Sequence, residues 1–354
     1  MNILRALLAV VVFGYAPWLL AEPYLAIKSG HSCATCHVNP TGGGQRTVFG
    51  DSYAQEQLVA NPSETGSSWT GTIIERFRIG GNARTGARQF DFDDRDDNLE
   101  FGVDRVTLYL SAELNEHVTF YVDQQIAPGT SLNREAWVRL KSNSWSLKAG
   151  RIFLPLGWRT EDNTTLVRQA TGISMVQGDN GIEVGFDSSS FNFQLTATNG
   201  AGGAGEVDDG KLFAARAEWS GSSWRLGASA LHNNTDLGDR LIYGVFAGVQ
   251  TGPVSWLVEY DRIDDTDSLF PDLTQDVASL EANFALARGH NLRISVEAQS
   301  FDDNQQDRYR GNIVYEYFPW SFTQVRLGFR GRDSDDDIPA LNSNEAFLQL
   351  HVFF

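Results

Sequence analysis

From Trp69 to its end the chain repeats one pattern, with apolar and polar residues alternating at every second position. Val106, Leu108, Leu110 and Ala112 alternate with Arg105, Thr107, Tyr109 and Ser111. Val118, Phe120 and Val122 alternate with Thr119, Tyr121 and Asp123. Leu292, Ile294, Val296 and Ala298 alternate with Arg293, Ser295, Glu297 and Gln299, and Ala346, Leu348, Leu350, Val352 and Phe354 close the chain. A period of two gives a strand one apolar and one polar face. Sixteen such segments are legible, near 69–80, 100–114, 117–126, 134–141, 144–152, 181–188, 190–199, 211–219, 223–232, 240–250, 253–261, 275–287, 291–301, 307–317, 320–330 and 344–354.

The connections alternate between long and short. Long ones occupy 81–99, 127–133, 153–180, 200–210, 233–239, 262–274, 302–306 and 331–343. Short ones include Asn115-Glu116, Ser142-Asn143, Ser220 to Ser223 and Phe318-Pro319-Trp320. Outer-membrane barrels have even strand numbers, short periplasmic turns and long external loops. The pattern therefore predicts an all-β fold, a transmembrane antiparallel β-barrel of about 16 strands, with both termini periplasmic and every long loop outside. A soluble sandwich would not keep this alternation through the whole chain. Sixteen strands also imply a water-filled channel rather than a packed core. Trp145, Trp219, Trp224, Trp256, Tyr317 and Trp320 fall near strand ends, as interface girdles do.

Ahead of the strands lie two further regions. Residues 1–21 read as a signal peptide: Arg5, an apolar stretch from Ala6 to Ala16, then Leu19-Leu20-Ala21 before Glu22. An uncleaved anchor is the alternative, but the run is short for a span of ~20 residues and Pro17 interrupts it. Residues 22–66 form a separate segment and 67–354 the barrel. Asp51 to Val59 is expected to form a short helix with Tyr53 and Leu58 inward.

The segment 22–66 carries both cysteines of the chain, within Cys33-Ala34-Thr35-Cys36-His37. This is C-x-x-C-H, the attachment pattern of haem c. Two thiols about a turn apart add to the porphyrin vinyl groups, and the following imidazole reaches the iron. Cys33 and Cys36 would carry the thioethers and His37 would be the proximal ligand. A C-x-x-C redox pair is compatible with export. Half a zinc site would lack two ligands. A segment this short cannot bury a core alone, so any haem must borrow walls from elsewhere. Thr41-Gly42-Gly43-Gly44 serves either close backbone approach or a flexible hinge.

Charge narrows the function classes. The formal net charge of −17 argues against nucleic-acid binding. A mean hydropathy of −0.28 hides the barrel, since only alternate residues are apolar. By alternation the lumen wall receives Arg105, Glu113, Asp123, Glu135, Arg139, Lys148, Glu183, Arg216, Glu218, Glu259, Glu281 and Glu297. Acidic runs at Asp91 to Asp97, Asp264 to Asp267, Asp302-Asp303 and Asp333 to Asp337 fall in external loops, either as a solvated surface or as a cation-attracting mouth.

Two stretches carry a family resemblance. Glu22-Pro23-Tyr24-Leu25-Ala26-Ile27-Lys28-Ser29-Gly30 leads into C-x-x-C-H, and Phe49-Gly50 and the barrel follow; this resembles the fused monohaem cytochrome c–porins of the bacterial outer membrane. Gly150 to Gly157 is similar to a strand-to-loop segment of phosphate-selective and related porins. The resemblance includes outer-membrane iron oxidases, but the spacer Val38 to Arg46 is more glycine-rich than theirs. It implies electron transfer at the outer membrane through one covalent haem c, with extracellular metal (iron) oxidation among the activities. The implied partners are a periplasmic cytochrome or other electron carrier and an extracellular metal ion or small redox donor. The alternative is a passive porin whose haem segment acts as plug or redox gate.

The second axial ligand is left open by the motif. His31 is close to Cys33, and Met175, the second methionine of the chain, falls in a loop assigned outside. His232 falls at the external end of its strand and His290 in a periplasmic turn. Alternation points His351 and His117 inward near the periplasmic rim, making them the candidate distal ligands.

Overall fold

A computed structural model describes residues 22–62, 69–94, 96–160, 162–173, 175–176, 178–203, 205–206, 208–268, 272–302, 307–335 and 341–354. The signal-peptide stretch 1–21 and the acidic positions Asp303, Asp336 and Asp337 lie outside the described residues.

The strands are β1 (Thr72–Ile74), β2 (Phe77–Phe92), β3 (Asn98–Glu113), β4 (Val118–Ala127), β5 (Leu132–Ser142), β6 (Trp145–Ile152), β7 (Asp179–Asp187), β8 (Phe191–Thr198) and β9 (Leu212–Ser220). They continue with β10 (Trp224–Thr235), β11 (Gly238–Thr251), β12 (Val254–Asp267), β13 (Leu273–Ala287), β14 (His290–Phe301), β15 (Arg308–Tyr317), β16 (Thr323–Ser334) and β17 (Ser343–Phe353). From β2 onward each strand pairs antiparallel with the next, and β17 pairs back onto β2 through Ser343↔Phe92 to Phe353↔Asn82. The ring of β2 to β17 is a closed 16-strand barrel. β1 is a short arm folded on the start of β2.

The alternation read from the sequence is the inside–outside alternation of the wall. Along β14, Arg293, Ser295, Glu297 and Gln299 are buried inside, while Ile294 and Val296 are exposed outside. Exposed leucines, valines and aromatics cover the outer face, as a lipid-facing band requires. Trp145, Trp219, Trp224, Trp256 and Trp320 are all exposed at the short-turn end. Trp145 packs on Phe186, and Phe191 on Trp219, at 5.0 and 4.8 Å between ring centroids.

Two expectations are corrected. The first long strand is Phe77–Phe92, so residues 81–92, assigned to a loop, are strand. Its outward positions include Ala83, Thr85, Ala87 and Gln89, too small or too polar to register as apolar alternation. The acidic positions Asp264, Asp265 and Asp333 likewise lie within strands β12 and β16, which run further than the apolar pattern does.

The second correction concerns 153–178, expected outside. This connection folds into the barrel. Its helix α4 (Leu166–Thr171) begins at Thr165, whose hydroxyl accepts from the Arg168 N–H, and ends at left-handed Gly172. Leu156, Leu166, Val167 and Ala170 pack on the inward residues Leu212, Ala214, Leu231, Ile242, Ile263 and Val277. Arg168 pairs with Glu259 at 2.9 Å. At the loop's start, Asp162 pairs with Arg310 at 2.9 Å. Burial pulls the Asp162 carboxyl upward, but the Arg330 and Arg310 guanidiniums hold it well below its ordinary range. The lumen is therefore partly packed rather than an open aqueous channel.

Candidate functional site

Residues 22–62 occupy the lumen at its short-turn end. Helix α1 (Pro23–Ser29) starts on Pro23 and stops at left-handed Gly30, whose N–H returns to the Ala26 carbonyl at 3.0 Å. Tyr24, Leu25 and Ile27 are buried against Trp158, Phe246, Leu257, Phe318 and Phe353 of the wall and the inward loop. Gly248 makes room for this contact: a Cβ there would lie 2.2 Å from Ile27 Cδ1. At the far end of the segment, the N–H groups of Ala60 and Asn61 donate to the carbonyls of Phe318 and Pro319 in a short turn.

Cys33 to Cys36 forms a single helical turn, α2 (Cys33–Cys36), closed by the His37 N–H on the Cys33 carbonyl at 2.9 Å. The chain then makes a hairpin: Val38 N–H donates to Gln45 O at 3.0 Å and Thr47 N–H to Cys36 O at 2.9 Å. Its tip is the glycine run. Gly42, Gly43 and Gly44 all have positive φ, and Cβ atoms at Gly43 and Gly44 would lie 2.7 Å from Met175 Cε and 2.2 Å from the Tyr121 hydroxyl. The run is thus a close-approach device, not a hinge. Helix α3 (Val48–Glu56) follows, capped by Thr47. It begins ahead of the expected Asp51 because the cap precedes it. Tyr53 and Leu58 are buried as expected.

Polar bonds seat the segment on the wall. Asn39 donates to both Glu135 carboxylate oxygens at 3.0 and 3.1 Å, and Arg139 donates to the Val38 carbonyl. Asp51 pairs with Arg78 at 2.8 Å, and Glu22 with Arg293 at 2.8 Å. Tyr24 donates to Glu316 at 3.1 Å. Arg225 donates to the His31 carbonyl.

Cys33, Cys36 and His37 line one cavity between the segment, the wall and the inward loop, with about 1390 Å³ of empty space including its open mouth. Tyr24, Leu25, Leu58, Trp158, Phe318 and Phe353 supply apolar surface. Five arginines (Arg46, Arg84, Arg159, Arg216 and Arg225) face two carboxylates, Glu22 and Glu218. An excess of positive charge thus lines this cavity of an acidic chain. Burial, outweighing nearby charges, pushes the Cys33 thiol up. The Cys36 thiol is pushed up to about 11 by burial and by Cys33, against Arg46. Burial also raises the Asp51 carboxyl, against Arg46 and Arg78.

The wall match belongs to a known family. The Gram-negative porin model matches residues 54–346. The chain belongs to the Gram-negative porin family. This porin is an outer-membrane β-barrel. Among solved structures it is similar to an anion-selective porin from Comamonas acidovorans, at 11% identity and a TM-score of 0.62, over 78% of this chain and 99% of that one. OprB of Pseudomonas putida matches at 12% identity and 0.62, over 79% and 94%. OmpT of Vibrio cholerae matches at 13% and 0.61, over 78% and 99%. No protein of curated function matches the sequence at a significant level. The family match begins at residue 54, after the Cys33–His37 motif.

The porin separates the residues that the sequence grouped. His351 is buried and lines the cavity with the cysteines. His117, expected to point inward, is exposed: the Asn115 side chain caps the N–H groups of His117 and Val118, so His117 sits in the turn before the strand and contacts Glu116. Glu113, also assigned inward, is exposed at the same rim. Met175, expected outside, is buried beside Gly43. Arg134, Arg225, Arg310 and Glu316 are buried residues that the sequence reading passed over; strict alternation would have found all but Arg134, which adjoins the irregular register between Asp123 and Gln124. Among the described residues no cluster of three or more His, Cys, Asp or Glu is arranged to hold a metal ion.

Proposed function

We propose that this porin closes its lumen with an N-terminal segment that holds one haem c, and that it passes electrons at the outer membrane. The observation that carries the reading is that Cys33, Cys36 and His37 line one cavity of the lumen. Their chemistry fits the group: two thiols a helical turn apart, with an imidazole next to the second. The lining fits as well, since apolar side chains suit a macrocycle and the arginine excess suits two carboxylates. The group, once bound, supplies one-electron redox chemistry.

The chain's own residues do the rest. Cys33 and Cys36 would anchor the group, and His37 would supply an imidazole to its iron. Tyr24, Leu58, Phe318 and Phe353 limit water. Asn39, Asp51 and Tyr24 fix the segment to the wall. By the rule that short turns face the periplasm, the segment sits at the periplasmic mouth. There a periplasmic cytochrome would approach it. An extracellular metal ion, ferrous iron among the candidates, or a small redox donor would have to enter past the inward loop.

The second reading is a passive porin in which the segment is a plug or redox gate. Family membership favours it, because the matched residues are the channel wall. Purified protein in proteoliposomes separates the two. Electron exchange between an enclosed acceptor and a soluble cytochrome outside, lost in Cys33→Ala/Cys36→Ala, supports the first. Ion conductance that changes with redox poise, without electron exchange, supports the second.

A further inference from the structure

We propose that His351 is the second axial ligand of the haem iron, held for that task by Gln324 and Glu316; the inference rests on the haem c reading above. Three observations converge on it: a shared cavity, an amide held in one orientation and the placement of the other candidates.

His351 lies on the inward face of β17, between the outward Leu350 and Val352, and is 7% exposed. It lines the cavity that holds His37 and both cysteines. Its Nδ1 is 2.8 Å from Gln324 Oε1, on the neighbouring strand at the paired position. The Gln324 amide has one orientation here, because its Nε2 donates to Glu316 Oε1 at 3.3 Å. Glu316 is fully buried and collects donors: Tyr24 Oη at 3.1 Å, Asn291 Nδ2 at 2.9 Å and the Arg326 guanidinium at 3.3 Å. A carboxylate among donors accepts. So the amide NH2 faces Glu316 and its carbonyl faces His351.

That orientation sets the imidazole. A carbonyl can only accept, so Nδ1 carries the proton and Nε2 is the lone-pair nitrogen. This is the form a metal ligand needs, with its second nitrogen held by an outer acceptor. Tyr24 bonds the same carboxylate from α1, so the segment carrying the cysteines and the relay behind His351 share one anchor.

The other candidates are placed differently. His117 is exposed at the rim. His232 pairs with Asp239 on the outer surface. His290 bonds Tyr315 and stacks on Tyr317. Met175 lines a second, smaller cavity, beyond the glycine run. His31 does line the main cavity, but it packs edge-on against Phe49 at 5.3 Å and precedes Cys33 by two residues.

The test uses full-length protein made with c-type maturation. Haem content by mass and pyridine assay tests the underlying reading; optical and EPR spectra test the ligand. The wild type should be low-spin ferric. His351→Ala should keep its covalent haem yet become high-spin, and added imidazole should restore the low-spin spectrum. Should His351→Ala fail to fold, His351→Met keeps the volume; it should give a His–Met spectrum and a raised midpoint potential. Gln324→Leu should remain low-spin with a raised potential, because the imidazole loses its outer acceptor. Gln324→Glu should lower it. A high-spin wild type, or a low-spin His351→Ala, overturns the proposal; in the latter case His31→Ala and Met175→Ala identify the true ligand. A wild type without covalent haem overturns both the proposal and the reading beneath it.

Discussion

Asp51 and Arg78 meet at 2.8 Å, both side chains less than a tenth exposed, and so fasten α3 of the N-terminal segment to the first long strand of the barrel. Arg78 also donates to the Arg46 carbonyl at 2.8 Å, within the same segment. Removing Arg78 leaves a buried carboxylate without this partner, which costs about 3–5 kcal/mol. Arg78→Met should therefore loosen residues 22–62, seen as faster proteolytic cleavage there at pH 8 with the barrel intact. The Asp51 carboxyl is already raised by burial. A raised carboxyl favours the docked state below its pKa and loses that advantage as pH rises through it. The cleavage difference should thus shrink on acidification, as Asp51 takes up a proton, and the double variant with Asp51→Asn should recover most of the protection.

A second prediction concerns the inward loop. Gly157 has φ +49°, and a Cβ there would lie 1.5 Å from Glu259 Oε1. Glu259 is also the partner of Arg168 in α4. Gly157→Ala should displace the start of the loop from the wall and raise single-channel conductance in planar bilayers. Adding Glu259→Ala relieves the clash but removes the Arg168 pair, so the double variant should conduct at least as well. Unchanged conductance in both would mean that the loop does not constrict the channel.

The extent to which the sequence disclosed this arrangement follows from what each residue touches. Strand residues such as Leu292 to Gln299 announce their face because lipid and lumen impose a two-residue period on neighbours in the chain. β2 did not announce itself because Ala83, Thr85 and Ala87 carry little apolar signal. The inward loop was assigned outside on length alone, although Phe153, Leu156, Trp158, Leu166, Val167 and Met175 are more apolar residues than an aqueous loop needs. Cys33-x-x-Cys36-His37 is legible as a motif because its five residues are contiguous in the chain. The cavity around it was not, since Tyr24 and Glu316 bond across 292 residues. Alternation brought His351 inward correctly and failed at His117, where the Asn115 turn replaces the strand.

Thiol reactivity offers a pH test on protein made without haem maturation. With Cys36 pushed up to about 11, only a small thiolate fraction is present at neutral pH, and the thiolate is the reactive form. Its alkylation rate should climb about tenfold per pH unit from pH 8 to 10. Mass spectrometry of iodoacetamide-treated samples resolves this. A rate that levels off below pH 9 would mean that Cys36 is not shielded in the cavity.

Sidedness is checked by labelling single cysteines placed in a Cys33→Ala/Cys36→Ala background. A cysteine at Asp94, in the connection between β2 and β3, should react on intact cells. One at Ser222, in the short turn beside Gly30, should react only after the outer membrane is permeabilised. The reverse pattern would invert the barrel and place the cavity mouth outside.

The most direct test of the central claim is the intact mass of the porin purified from outer membranes of cells that express the c-type maturation machinery. The account predicts a gain of one haem per chain, retained after denaturation and absent from Cys33→Ala/Cys36→Ala, with tryptic peptides placing the haem between Cys33 and Cys36. A folded barrel from those cells with both thiols unmodified would contradict it, and would leave residues 22–62 as the plug of an ordinary porin.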